Sequence, residues 1–143
     1  MKLLIKKLHE SAIVPKYATK GSVGFDLHAL FDYVAEKNKM IQVKTGIAVS
    51  IPDGFEINAR ARSGLSLKYP NYLVITGGGT IDSDYRGEIT IPIINRTDNI
   101  WRIKKGDRLI QCIVAPINQV EMEVVEELPE TDRGIGGFGH TGR

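Results

Sequence analysis

The stretch from Phe55 to Arg62 alternates without a break. Phe55, Ile57, Ala59 and Ala61 face one way, and Glu56, Asn58, Arg60 and Arg62 face the other. A period of two puts one side on a core and the other in water, which is the pattern of a half-buried β-strand. The pattern recurs along the chain. Ile89, Ile91 and Ile93 share a face, with Pro92 pointing to an edge or a bulge. Val120 to Val124 alternates apolar residues with glutamates. Residues 40–51 read as two short strands about Gly46, and residues 72–75, 100–103 and 107–117 add three more. Turn residues fall between them, at Pro52, Gly77, Arg96 and Lys104. Only Gly64–Pro70 could hold a short helix, ended by the proline. Many short strands at regular spacing predict an all-β chain folded as a sandwich or a jelly-roll-like β-barrel.

A chain of 143 residues is expected to form one domain with a sizeable core. The charge is nearly balanced, +2 from 19 basic and 17 acidic residues. Bulk charge therefore gives no reason to expect nucleic acid or a membrane as partner, and any anion site has to be local. No apolar run is long enough to span a bilayer. The single Cys112 lies in an apolar run, so it reads as a buried reduced thiol, and a cytoplasmic setting is expected. His9, His28 and His140 lack zinc spacing, and no phosphate loop of the GxxxxGK[ST] type is present.

Five stretches carry polar residues or glycines that a barrel alone does not need. In residues 18–29, Asp26 enters an apolar strand between Phe25 and Leu27, after Gly21 and Gly24. In residues 59–68, Ser63 and Gly64 open the possible helix beside Arg62, which describes either a phosphate cradle or a capping serine next to a surface arginine. In residues 75–91, three glycines precede Asp82, Asp84 and Tyr85. Two carboxylates and a ring at a hairpin suit general-base chemistry on a flat substrate, and they also describe an acidic solvated turn. In residues 104–112, Gln111 interrupts an apolar strand, and a buried glutamine needs partners, from the protein or from a ligand. The chain closes on Arg133–Arg143, with five glycines, one phenylalanine and two arginines. Such a segment is costly to order, and its ring and charges suit a flap over something flat and anionic.

Taken together and in this order, the five stretches resemble the five motifs of the trimeric dUTPase family, over residues 18 to 143. The resemblance implies a jelly-roll-like barrel, a homotrimer with three active sites at its subunit interfaces, and hydrolysis of dUTP to dUMP and pyrophosphate with Mg²⁺ on the phosphates. The last strand is expected to end near Leu128, with Pro129 opening the tail, so a barrel over residues 1–128 is expected, and the resemblance implies that residues 129–143 are a flexible arm that closes the site. Asp82 resembles the general base, and Asp26 the residue that reaches Mg²⁺ through water. Tyr85 resembles the ring under the deoxyribose. The backbone from Thr76 through Gly79 and Thr80 to Ile81 resembles the strand mimic that pairs with uracil. Ser63, Gly64 and Gln111 resemble phosphate contacts, with Arg62 supporting them. Arg133 resembles the γ-phosphate contact and Phe138 the ring stacked on uracil, with Gly139, His140 and Thr141 adding contacts. Thr76 stands where many members carry asparagine, Ala61 where proline is frequent, and His140 where serine is frequent. The resemblance leaves two rivals: a dCTP deaminase of the same superfamily, which would release ammonia, and a non-catalytic dUTP sensor, which would lack the base or the arm.

Overall fold

The computed structural model describes residues 1–68, 72–74 and 79–137, with the backbone alone at 66, 68 and 72–74. Among these, eleven strands and one helix follow in the order β1 (Leu4–Lys7), β2 (Phe25–His28), β3 (Tyr33–Ala35), β4 (Met40–Lys44), β5 (Ile47–Ser50), β6 (Phe55–Ala61), α1 (Ser63–Lys68), β7 (Tyr72–Val74), β8 (Gly79–Ile81), β9 (Thr90–Asn95), β10 (Trp101–Ile103) and β11 (Arg108–Pro116). The strands pair antiparallel, in sheets ordered β2-β11-β6-β8, β4-β9-β7, β1-β5 and β10-β3. The chain has the all-β, jelly-roll-like fold that its alternation predicts.

The core is made where the alternating faces meet. Leu27, Ile57 and Cys112 from one sheet and Val43, Ile91 and Ile93 from another are fully buried, closed off by Ile47, Ala35 and Ile103. Each such side chain stabilises the fold by about 1.5–3 kcal/mol relative to exposure. Burial pushes the Cys112 thiol up to about 12, with the Asp26 carboxylate adding to the effect.

Gly46 turns the chain between β4 and β5 at a φ of 69°. A Cβ there would sit 2.8 Å from Cβ of Ala12, so glycine is required by space as well as by conformation.

Asn95, at the end of β9, is a polar plug in this apolar core. Its Nδ2 donates to the carbonyls of Ala35 and Asn99, both at 2.7 Å, and its Oδ1 accepts from the amide and the hydroxyl of Thr97. The side chain thus ties β9 to β3 and to the turn before β10. Asn95→Leu would remove four hydrogen bonds made by a fully buried side chain, and it is expected to destabilise the chain by about 2–4 kcal/mol. A urea titration should show the midpoint falling with an unchanged slope.

Three expectations need correction. Val120–Val124 forms no strand, and the last strand ends at Pro116 rather than near Leu128. Val120, Met122 and Val124 stand exposed, because alternation makes a strand only where a neighbouring edge is available to pair with it. Pro92 lies in the middle strand of its sheet. Its residue pairs with Gln42 of β4, and the described part of β7 pairs with Ile93 to Asn95 on the other side of the strand. The segment holding Asp82 and Tyr85 is not a β8–β9 hairpin: β8 pairs with β6, whereas β9 pairs with β4 and β7, so the segment crosses between sheets.

Candidate functional site

Cross-strand register assembles the first group of polar residues. Gln111 of β11 lies opposite Asp26 of β2 on one side and Arg60 of β6 on the other. A bulge in β11 between Arg108 and Ile110 shifts the register against β2, and a bulge of this kind re-aims side chains. Asp26, 18% exposed, then receives two cations: Arg62 Nε lies 3.1 Å from its Oδ1, and Arg108 Nη1 lies 3.4 Å from its Oδ2. Arg62 also donates from Nη1 to the carbonyl of Arg108 at 3.0 Å, so the end of β6 is laced to the start of β11. Gly24 permits this approach, since a Cβ there would meet Gln111 Cγ and the Cys112 carbonyl at 2.7 Å.

Ser63 and Gly64 follow Arg62 at the start of α1, and both are exposed. A Cβ on Gly64 would meet nothing within 4 Å, so the protein itself does not require glycine there. A cleft of about 430 Å³ opens beside them, lined by Arg62, Gly64, Leu65, Trp101, Gly106 and Arg108. Gln111 is exposed rather than buried, so its amide needs no internal partner and stays available. His28 sits two residues past Asp26. Burial lowers its pKa below the ordinary imidazole value, the Asp26 carboxylate opposes that, and Arg108 and Arg62 add to it. Its buried Nδ1 has no hydrogen-bond partner among the described residues.

The second group lies at the other end of the sheet. Asp82 is exposed just after β8. The Tyr85 amide donates to the Asp82 carbonyl at 3.2 Å, and the Tyr85 hydroxyl donates to the Glu88 carbonyl at 3.0 Å. The Tyr85 side chain, 44% exposed, folds back so that its hydroxyl end packs on Gly87, where a Cβ would stand 2.3 Å from the phenolic oxygen. Arg86 Nη1 closes the turn onto the carbonyls of Ser83 and Tyr85. Glu88 Oε1 accepts the Gly46 amide at 2.8 Å, and Thr45 donates its hydroxyl to the Ile89 carbonyl at 2.6 Å. The turn carrying Asp82 and Tyr85 is therefore braced against the β4–β5 corner. Thr80, Ile81, Asp82 and Tyr85 line a cavity of about 210 Å³.

These two groups do not meet within one chain. Ile81 pairs with Ile57, and Arg62 lies five residues further along the chain, just past the end of β6. At the strand rise that is a separation of about 17 Å.

The third group follows β11. The amide of Ile117 donates to the Gly54 carbonyl at 2.9 Å, and beyond it residues 118–135 run exposed. Arg133 is exposed in a turn of this segment. Thr76, Phe138, Gly139, His140 and Thr141 lie outside the described residues.

Sequence reading missed Arg108, Gly87 and Glu88. Arg108 was legible only as part of a turn, since its partner Asp26 is 82 positions away. Gly87 and Glu88 could have been found from their spacing to Tyr85, because a ring folded over a turn needs a glycine beneath it.

Residues 10–142 match the family model described as dUTPase. The deoxyuridine 5'-triphosphate nucleotidohydrolase of Nautilia profundicola is 46% identical over 143 residues, covering all of both chains. The protein of the same description from Helicobacter pylori strain Shi470 is 43% identical over 142 residues, covering 99% of this chain and 97% of its own. The dUTPase of Staphylococcus bacteriophage 80alpha, solved with dUPNHPP, superposes with a TM-score of 0.91 at 30% identity, covering 99% of each chain. A variant dUTPase of S. aureus phage phi11, described as coordinating a structural Mg(II) ion, gives a TM-score of 0.81 at 28% identity, covering 89% of this chain and 98% of its own.

Proposed function

The chain belongs to the dUTPase family and hydrolyses dUTP to dUMP and pyrophosphate, and from that premise we propose that the reaction runs in sites shared between the three copies of a homotrimer. The observation that carries this is the separation within one chain. The Asp26–Arg62–Arg108 cluster and the Asp82–Tyr85 turn are two halves about 17 Å apart. A triphosphate held on the first half would leave its α-phosphorus out of reach of Asp82 of the same chain. A cyclic trimer brings different edges of each copy together three times over, and the exposed Val120, Met122 and Val124 need a covering surface of this kind.

In this reading one copy supplies Ser63, Gly64 and Gln111 to the phosphates, with Arg62 held in place by Asp26. A second copy supplies Asp82, which takes a proton from the attacking water. The water oxygen bonds to the α-phosphorus in line, and the bond to the pyrophosphate oxygen breaks. Tyr85 of that copy lies under the deoxyribose, where a ribose 2′-hydroxyl would clash. The backbone from Thr76 through Gly79 and Thr80 to Ile81 hydrogen-bonds the uracil edge. A third copy lays its arm, residues 129–143, across the site, with Arg133 on the γ-phosphate and Phe138 on the base. Gly139, His140 and Thr141 complete the phosphate contacts.

The residues present fit Mg²⁺ only at one remove. No group of three His, Cys, Asp or Glu side chains that could hold a metal occurs among the described residues, and both Asp26 oxygens face arginines. The ion would therefore arrive on the triphosphate, with Asp26 reaching it through water. Bound, it would neutralise phosphate charge during the transfer.

The shared site is tested by mixing two inactive variants. One carries Asp82→Asn and the other ends at Asp132. If turn and arm come from different copies, a random equal mixture should recover about a quarter of wild-type activity, since each site needs one intact donor of each kind. If both came from the same copy, the mixture would stay inactive.

A further inference from the structure

The exposed segment after β11 contains a folded unit of its own. The Gly134 amide donates to both the carbonyl and the hydroxyl oxygen of Thr131, at 3.0 and 3.1 Å. The Gly136 amide donates to the Arg133 carbonyl at 3.1 Å. Two turns thus overlap at Arg133. Gly134 adopts a φ of 51°, the left-handed value that lets the second turn follow the first. The Arg133 side chain closes the unit, its Nε donating to the Gly136 carbonyl at 2.8 Å. Residues 131–135 are exposed and Gly136 is half-buried, and every hydrogen bond named in the unit is made within residues 131–136.

A guanidinium offers five N–H donors in a rigid plane. With Nε committed to the turn, four remain on the two Nη nitrogens, the pair that meets a phosphate in a bidentate fork. The turn therefore fixes the stem of Arg133 and leaves its phosphate-binding end open.

We propose that Thr131 is a positioning residue: its hydroxyl caps the double turn that holds Arg133 ready for the terminal phosphate of the substrate. This rests on the reading of Arg133 as the γ-phosphate contact. An arm that arrives with this turn already formed loses less freedom on closing than one that must fold on the ligand. The hydroxyl oxygen carries the role and the methyl group does not. Serine should therefore replace threonine, and valine, which has the same shape without the acceptor, should not.

The test is calorimetric titration of the full-length protein with a non-hydrolysable imido analogue of dUTP and, separately, with dUMP. Thr131→Val is expected to weaken the analogue about 5- to 10-fold, the usual worth of a side-chain cap converted to affinity. Thr131→Ser should bind it within about twofold of wild type, because it keeps the capping oxygen. Affinity for dUMP, which has no terminal phosphate, should not change. Arg133→Ala is the reference. If it leaves the analogue affinity intact, the reading of Arg133 falls. If it weakens the analogue while Thr131→Val matches wild type, the role of Thr131 alone is overturned. Equal losses for valine and serine, or losses for dUMP as large as for the analogue, would overturn it too.

Discussion

Asp82→Asn is expected to lower kcat about 10³-fold, within the span that a positioned general base contributes, while affinity for the imido analogue stays within a few-fold. The amide keeps the shape of the side chain and one acceptor oxygen. What it loses is the capacity to accept the proton of the attacking water. Asp82 is exposed, and no hydrogen bond or ion pair of its side chain is recorded among the described residues, so the substitution removes nothing that holds the fold. Single-turnover hydrolysis measured beside analogue binding separates the two effects. An unchanged rate would take Asp82 out of the base role. A lost affinity with an unchanged rate at saturation would make it a binding residue instead.

Ending the chain at Asp132 is expected to lower kcat/KM by about 10²- to 10³-fold without lowering the melting temperature. The two contacts removed are a charge-assisted hydrogen bond from Arg133 and a ring stack from Phe138, together about 3–5 kcal/mol. The entropy lost on ordering the arm opposes those contacts, which is why the preformed turn at Arg133 matters. Residues 131–135 are exposed, so among the described residues the tail beyond Asp132 adds no side chain to the barrel core. Steady-state kinetics and a melting curve on the shortened chain check both halves of the expectation. A chain that fell apart into monomers would make the tail a structural clamp.

The strands were legible where one face is buried. In β6 the alternation of Ile57 and Ala59 with polar neighbours maps directly onto the buried and outer sides. β1 and β3 were missed for opposite reasons. Every residue of β1 is exposed, so it shows no period, and β3 is three residues long. Val120–Val124 misled because alternation encodes a face and not the edge that a strand pairs with. The candidate site was legible only as five stretches taken together and in order, since each alone also describes an ordinary turn, cap or strand residue. Its assembly was not. The meeting of Asp26 with Arg62 and Arg108 depends on the register of three strands and on one bulge, and no local window contains it. Gln111 was expected inside because its neighbours Ile110 and Cys112 are apolar, yet period two buries those two and sends it outward.

The lone cysteine gives the molecule a built-in clock. Cys112 is fully buried, and its thiol is pushed up to about 12. Near neutral pH the nucleophilic thiolate is then a fraction of about 10⁻⁴ or less, against a few per cent for an ordinary cysteine. A thiol reagent added to the folded protein has to wait for the barrel to open. Its rate of reaction therefore counts opening events one chain at a time, with no label and no substitution. The native thiol would stay silent beside a cysteine introduced on the arm, so arm closure and barrel opening could be timed in one sample.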